Sequence, residues 1–345
     1  MTRIGVVGAG GAAAAACYAL DRTVPDAELT VVEKSGGVCG RAATRRRGPI
    51  RYEYGANYVK SADERVVELL TEHLDTDGLV DVAEPIWTFD REGEVSPGRE
   101  SDEHKWSYRR GITQIAKRLF GATEAAVHRR TRIETLRRGD GVWTLVDDDG
   151  EEWGPFDVLL LNPPAPQTAT LLADAEWDDP LRERLAEAVD AVPYRTIWTA
   201  VLGYEFALDR PYYALVNPGK DHGIGWIARE ECKPGHVPDG ESVLVVQASH
   251  EWSVERYDDP PERNVADLAA MTADVIGEDR LRAPDWSDHQ GWRYALPEGR
   301  VAAGPLEDAA DHGLYPLGDW VAGEARLHAA LRNGLETGER IALAV

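Results

Sequence analysis

The amino-acid sequence predicts an α/β chain of two lobes, one built on a parallel sheet with flanking helices and one on a mostly antiparallel sheet. Three observations predict it. The chain opens with an apolar strand, a glycine turn and an alanine-rich helix, the start of a βαβ unit. The short continuous apolar run DVLLL (157–161) and the late segment GLYPLGDW (313–320) return to the same pattern, as buried parallel strands do. Between them, residues 166 to 290 are rich in tryptophan and tyrosine and carry several strand-like runs. A length of 345 residues also exceeds one typical domain.

The elements follow in order. RIGVV (3–7) is the first strand, and Gly8 to Ala13 form the turn. AAAAACYAL (12–20) is a strong helix former that Pro25 and Asp26 end, and AELTVVE (27–33) is the second strand. DERVVELLTEHL (63–74) has helical spacing, and GITQIAKRLFG (111–121) reads as a short helix between glycines. The runs AAVHR, TRIETLRR, GVWTLVDDDG and EEWGPFDVLLLN read as strands, with a hairpin or meander over 132–152 that turns at Asp147–Gly150. YRTIWTAVLGYE, YYALV, GIGWIA and ESVLVVQAS are expected to form the antiparallel sheet, interrupted by one helix near 261–276. RLHAALRNGLETGERIALAV is a terminal helix. The expected division is 1–60, 105–165 and 290–345 for the first lobe, and 61–104 with 166–289 for the second.

The chemistry begins at the first turn. Gly8-x-Gly10-x-x-Ala13 follows a strand and opens a helix, and Glu33 ends the next strand. Gly8 permits the tight turn, Gly10 lets the backbone approach a pyrophosphate, and Ala13 is small enough for close helix–strand packing. The helix N-terminus offers N–H donors and a positive dipole end to phosphates, and the Glu33 carboxylate can accept from ribose hydroxyls. By itself this fingerprint does not separate NAD from FAD. No second such unit follows, so a separate NAD(P)H domain is not expected, and any nicotinamide would bind as a substrate.

The stretch EKSGGVCGRAATRRR (33–47) sets four arginines and one lysine in an otherwise acidic chain. Its GGVCGRAATR resembles the second signature of flavoproteins with the glutathione-reductase or p-hydroxybenzoate-hydroxylase type of FAD fold. That resemblance implies that Gly40-Arg41 reaches the pyrophosphate, where Arg41 would give charge-assisted hydrogen bonds. Arg45, Arg46 and Arg47 read either as a solvated basic turn or as a lure for a second phosphorylated molecule. LGDW (317–320) supplies an aspartate, Asp319, of the kind that meets the ribityl chain or pyrophosphate. The start of the last helix near Leu327 is expected at the pyrimidine end of the flavin.

Taken together, VVGAGGAA, EKSGGVCGRAATRRR, YEYGANYV (52–59), RRGITQIAKRL, LLLNPPAPQTATLL, GWIAREECKPG, VVQASHEWS, WRYALP and LGDWVAG resemble the microbial renalase-like FAD oxidoreductases of the amine-oxidase superfamily nearly end to end. The resemblance implies an FAD-binding Rossmann-like domain of the p-hydroxybenzoate hydroxylase/amine-oxidase type plus a mostly antiparallel β substrate domain. It implies non-covalent FAD, held by Gly8, Gly10, Gly11, Ala12, Ala13, Glu33, Lys34, Gly40, Arg41, Gly55, Ala56, Asn57, Ile133, Gly318, Asp319 and Leu327. No cysteine follows Cys232 to make a late thioether. Asn57 stands where the family commonly has glutamine, and RLHAALRNG departs from the family's small-residue final helix. The implied reaction is oxidation of 2- or 6-dihydro isomers of NAD(P), with hydride passing to flavin N5 and O2 becoming H2O2. Hydride transfer needs no general base, which suits a sequence with no evident acid/base dyad. Asn57, Trp226, Trp292 and Tyr294 are the expected substrate-pocket residues, although aromatic residues on strands are commonly core. His250 and His289 receive no role. A flavin amine oxidase, a desaturase-like oxidoreductase and a non-enzymatic FAD-binding protein are the competing readings.

Composition excludes other classes. No run approaches the roughly 20 apolar residues of a membrane span. The N-terminus enters a strand without a leader, so a cytoplasmic location is expected. Cys17, Cys39 and Cys232 stand far apart, which argues against a zinc site, a thiol–disulfide centre or a disulfide framework. Sixty-one acidic residues face 38 basic ones, giving a net charge of −23, and only six of the basic residues are lysine. The even spread of acid reads as a surface suited to high salt, and it argues against a nucleic-acid partner.

Overall fold

A computed structural model describes residues 1–99 and 102–345. β1 (Arg3–Val7) lies at the centre of a five-stranded parallel sheet in the order β10 (Ala126–Arg129), β2 (Glu28–Glu33), β1, β14 (Val158–Leu161), β20 (Leu314–Pro316). β14 is buried along its whole length, as its unbroken apolar run requires. Its side chains alternate between two cores. Val158 and Leu160 face α1 (Gly11–Thr23) and α10 (Leu327–Ala342). Leu159 and Leu161 face the opposite layer. That layer is the antiparallel meander β11 (Ile133–Gly139), β12 (Val142–Asp147), β13 (Glu152–Phe156) with α4 (Ala165–Ala173) and α5 (Pro180–Asp190). The expected turn closes between β12 and β13, where the Gly150 N–H donates to the Asp147 carbonyl at 3.0 Å.

The alanines of α1 have a packing reason. A Cβ on Gly334 of α10 would lie 2.1 Å from the Ala12 carbonyl oxygen, and one on Gly338 would lie 2.8 Å from that of Ala16. The two helices therefore meet backbone to backbone, which only small residues on both sides allow.

The second sheet has seven strands in the order β19 (Trp286–Pro297), β15 (Tyr194–Tyr204), β18 (Ser242–Ala248), β17 (Ile224–Arg229), β16 (Ala214–Val216), β7 (Ile86–Phe89), β8 (Val95–Ser96). All its pairings are antiparallel except β16 with β7. One face packs on α7 (Pro261–Ile276), and the other carries Tyr213, Trp226 and Trp292. A hairpin, β3 (Arg45–Arg47) with β4 (Ile50–Tyr52), and a three-stranded sheet, β5 (Val59–Lys60), β9 (Lys105–Tyr108), β6 (Leu79–Asp81), complete the strands among the described residues. The remaining helices are α2 (Glu64–Glu68), α3 (Gln114–Gly121), α6 (His250–Glu255), α8 (Ala303–Ala310) and α9 (Asp319–Ala322).

Three expectations differ from what is observed. The helix expected over 63–74 is α2 followed by one wider π turn at Leu69–His73, with Asp63 capping α2 by accepting the Val66 N–H. Residues 166–190, expected in the second lobe, are helical and pack on the first. Leu172, Leu181, Leu185 and Val189 join Trp143 and Leu159 in one core, because their spacing makes an apolar helix face that fits the exposed side of the parallel sheet. Residues 290–297, expected in the first lobe, are the end of β19 in the seven-stranded sheet, paired with β15 up to Tyr194 and Pro297.

Candidate functional site

A cavity of about 2140 Å³ runs from the β1–α1 turn to the aromatic face of the second sheet. At its first end Gly8 has φ +90°, open to glycine but strained for other residues. A Cβ on Gly10 would sit 2.4 Å from Asn162 Oδ1. The first N–H groups of α1 have no acceptor within the helix and point out of its end. Glu33, 7% exposed, accepts the Ala9 N–H on Oε2 at 2.7 Å and the Ser35 N–H on Oε1 at 2.7 Å. Those bonds fix its carboxylate at the end of β2, next to the turn.

The loop after β2 folds back onto the turn. Cys39 donates its N–H to the Ala9 carbonyl at 2.8 Å, and both Cys39 (φ 82°) and Gly40 (φ 54°) take left-handed backbone. That bend delivers Arg41 into the cavity. Its guanidinium donates to Asp319 Oδ1 at 2.7 Å and to the Ala295 carbonyl at 2.8 Å. Burial would lower the Arg41 pKa, but the Asp319 carboxylate outweighs it and holds the group above its ordinary value. Gly55 packs directly on this turn, for a Cβ there would lie 2.0 Å from the Arg41 carbonyl oxygen.

The fit to a dinucleotide is testable on the chain itself. Asn162 donates through Nδ2 to the Leu317 carbonyl, while its Oδ1 is buried without a partner and faces the cradle at Gly10. A glycine cradle, an unsatisfied acceptor and a half-buried guanidinium together suit a bound pyrophosphate and its hydroxyl-bearing arms.

At the other end the wall is aromatic. Tyr54 and Trp292 stack with centroids 5.3 Å apart, and Trp292 Nε1 donates to the Tyr54 carbonyl at 3.0 Å. Trp226 Nε1 donates to Asn57 Oδ1 at 3.4 Å, and Asn57 Nδ2 donates to the Gly55 carbonyl at 2.8 Å. Asn57 is thus engaged in holding Trp226. Tyr294 meets Tyr194 edge-on at 5.9 Å, and the Tyr194 hydroxyl accepts the Ala165 N–H.

Of the residues expected to bind cofactor or substrate, all line this cavity except Ala13, which is fully buried against the sheet. His250 lines it and accepts the Thr196 N–H through Nδ1, whereas His289 stacks on Trp198 away from it. The arginine run divides by face. Arg45 pairs with Asp288 at 3.0 Å and lies 4.2 Å over the Tyr54 ring, and Arg47 lies 5.0 Å over Trp286. Arg46 is exposed. Two of the three arginines therefore pin the hairpin to β19. Sequence reasoning missed Asn162 and Gln247, whose Nε2 donates to the Gly55 carbonyl at 2.8 Å. NPP after β14 was a signal for the first. Nothing local marks the second.

All three thiols are pushed up by burial to about 12, so none is a ready nucleophile. Among the described residues no helix is long and apolar enough to cross a membrane.

Comparison with known proteins gives the family. Residues 6–73 match the NAD(P)-binding Rossmann-like domain, and residues 87–342 match the flavin containing amine oxidoreductase family. Among solved structures, a protein from Exiguobacterium sp. 255-15 assigned provisionally as a protoporphyrinogen oxidase is 16% identical, with a TM-score of 0.80 over 100% of this chain and 99% of its own. Reduced UDP-galactopyranose mutase is 10% identical, with a TM-score of 0.77 over 100% of this chain and 94% of its own. Cyclohexylamine oxidase from Brevibacterium oxydans IH-35A is 12% identical, with a TM-score of 0.74 over 99% of each chain. At these identities the structures establish a shared fold, and the family match spans most of the sequence. The chain belongs to the flavin-containing amine oxidoreductases, as a flavin-dependent oxidoreductase.

Proposed function

We propose that the chain is an oxidase with non-covalently held FAD, acting on a flat, anionic hydride donor of the 2- or 6-dihydro-NAD(P) kind, as the resemblance to renalase-like enzymes implies. One observation carries the choice of substrate. Nine lysine and arginine side chains line the cavity against six aspartates and glutamates, in a chain where acids outnumber bases 61 to 38. The sign of the charge reverses inside the cavity, which favours phosphate-bearing ligands and opposes a cationic amine.

The cradle residues Gly8, Gly10, Gly11, Ala12, Glu33, Lys34, Gly40, Arg41, Ile133, Gly318, Asp319 and Leu327 would hold FAD, with Gly55 and Ala56 closing over it. When bound, FAD would supply the chemistry, accepting a hydride and passing the electron pair to O2 as H2O2. Trp226, Trp292 and Tyr294 would offer apolar faces to a planar ring and exclude water from it. Asn57 would set the orientation of Trp226. No side chain is required to take a proton.

Amine oxidation is the second reading, favoured by the fold shared with cyclohexylamine oxidase. Oxygen uptake separates the two. Dihydronicotinamide isomers are expected to drive it and cyclohexylamine or putrescine to fail. Uptake with an amine and none with the isomers would reverse the assignment.

A further inference from the structure

Behind the aromatic wall lies a group of charges that the reaction does not use. Glu53, Glu230, Lys233 and His236 are all 0% exposed. Lys233 Nζ donates to Glu53 Oε2 and to Glu230 Oε1, each at 2.6 Å. His236 Nδ1 lies 2.9 Å from Glu230 Oε2, and its Nε2 lies 3.0 Å from the Tyr108 carbonyl. Both of those partners are acceptors, so both ring nitrogens must carry hydrogen and His236 is an imidazolium. The second oxygen of Glu53 accepts Ser107 Oγ at 2.7 Å and the Ile112 N–H at 2.6 Å. Two carboxylates thus face one ammonium and one imidazolium, and the group is neutral as a whole. Glu53, Glu230 and His236 have atoms spaced like metal ligands, but the Lys233 ammonium already sits between the two carboxylates.

The position of the group matters more than its charge. Glu53 directly precedes Tyr54–Tyr58, and Glu230 directly follows β17, which carries Trp226. The Arg51 N–H also donates to the His236 carbonyl at 2.8 Å. Lys233 Nζ lies 5.7 Å from the centre of the Tyr213 ring, and that ring meets both Trp226 and Tyr58 edge-on at 6.2 Å. The contacts form an unbroken path from the buried charges to the cavity face.

We propose that Glu53, Glu230, Lys233 and His236 are positioning residues: a charge-balanced clamp that holds the Tyr54–Tyr58 segment and β17 in register, so that the substrate wall is formed only while His236 is protonated. The proposal rests on the reading that this wall receives the substrate. The groups facing His236 are Glu230, Glu53 and Lys233, with the Tyr108 carbonyl at its far nitrogen and the Tyr213 phenol beyond Lys233. Burial alone would lower the His236 pKa, but its bond to Glu230 and the field of Glu53 outweigh that and raise it. A raised folded-state pKa means that the clamp's contribution is fully present below the ordinary histidine range. It is lost as pH rises through the raised value.

The test uses the FAD-loaded enzyme and NAD+ as probe. Flavin absorption, tryptophan fluorescence and NAD+ affinity are followed from acid to alkaline pH. The wild type is expected to show one alkaline transition in all three, with NAD+ binding at least about tenfold weaker above it. His236→Gln should abolish the transition, and Lys233→Met should weaken binding at every pH, with partial recovery in Lys233→Arg. If Lys233→Met does not fold, the charge-neutral pair Glu230→Gln with Lys233→Met serves in its place. Variants that keep the wild-type affinity and pH profile would overturn the clamp. A wild type that holds FAD yet ignores NAD+ at all pH values would overturn the substrate reading instead. In that case the flavin and tryptophan transitions, and their loss in His236→Gln, still decide the clamp.

Discussion

Arg41 is the residue on which cofactor retention is proposed to turn. It is held by Asp319 and the Ala295 carbonyl, so its charge is already aimed when a ligand arrives. Arg41→Ala is expected to lose bound flavin, read as the flavin absorbance of purified protein, while Arg41→Lys keeps part of it. Full flavin occupancy in Arg41→Ala would remove Arg41 from this role. Gly55 makes a separate test. A methyl group there would meet the Arg41 carbonyl at 2.0 Å, backbone against backbone. Gly55→Ala should lower stability by about 1–3 kcal/mol, measured by denaturant unfolding. Gly8 and Gly10 were legible in the sequence because each answers to a local turn geometry with a fixed spacing, and Arg41 through the resemblance of GGVCGRAATR to a flavoprotein signature. Asn162 and Gln247 were not, since their partners, Leu317 and Gly55, lie far along the chain. Lys233 was invisible for the same reason. Its meaning depends on Glu53, 180 residues away.

At the scale of elements, the pair α1 and α10 joins the first turn to the end of the chain. Gly334 and Gly338 let α10 lie on the alanines of α1, whose N-terminus forms the cradle. Gly334→Leu should separate the helices, lowering stability by about 1–3 kcal/mol and weakening flavin binding in the same variant. Thermal unfolding and flavin titration check both effects. Unchanged flavin affinity in a destabilised Gly334→Leu would separate the packing from the site. The βαβ start, the meander and the terminal helix could be read from periodicity and turn residues. α4 and α5 were misplaced because an amphipathic helix does not reveal which sheet it covers. The strand YRTIWTAVLGYE that follows them was read as such and is β15. The π turn at Leu69–His73 spans only five residues, too few for its wider spacing to stand out from the α-helical pattern before it.

For the whole molecule, charge links stability to function. A net charge of −23 repels itself in dilute buffer and is screened in concentrated salt. The melting temperature is expected to rise by about 1.5–3 °C between ~0.1 M and ~2 M KCl, since an unfolding entropy of about 2.1 cal/mol/K per residue makes a gain of roughly 1–2 kcal/mol worth that much in a chain of 345 residues. A flat dependence would mean that the acidic surface is not a salt adaptation. The cavity, with its reversed sign, should respond the other way, and salt should weaken an anionic substrate while it stabilises the fold. The surface sign was legible from composition. The reversal inside was not, because it depends on which side chains the two sheets bring together. The most direct test of the proposed activity is an anaerobic absorption spectrum of the flavin-loaded enzyme in high salt, before and after adding a mixture of 2- and 6-dihydro-NAD isomers. The dihydronicotinamide reading predicts that the flavin bands bleach at once and return when air is admitted. Bands that stay unchanged with the isomers and bleach with a primary amine would contradict it.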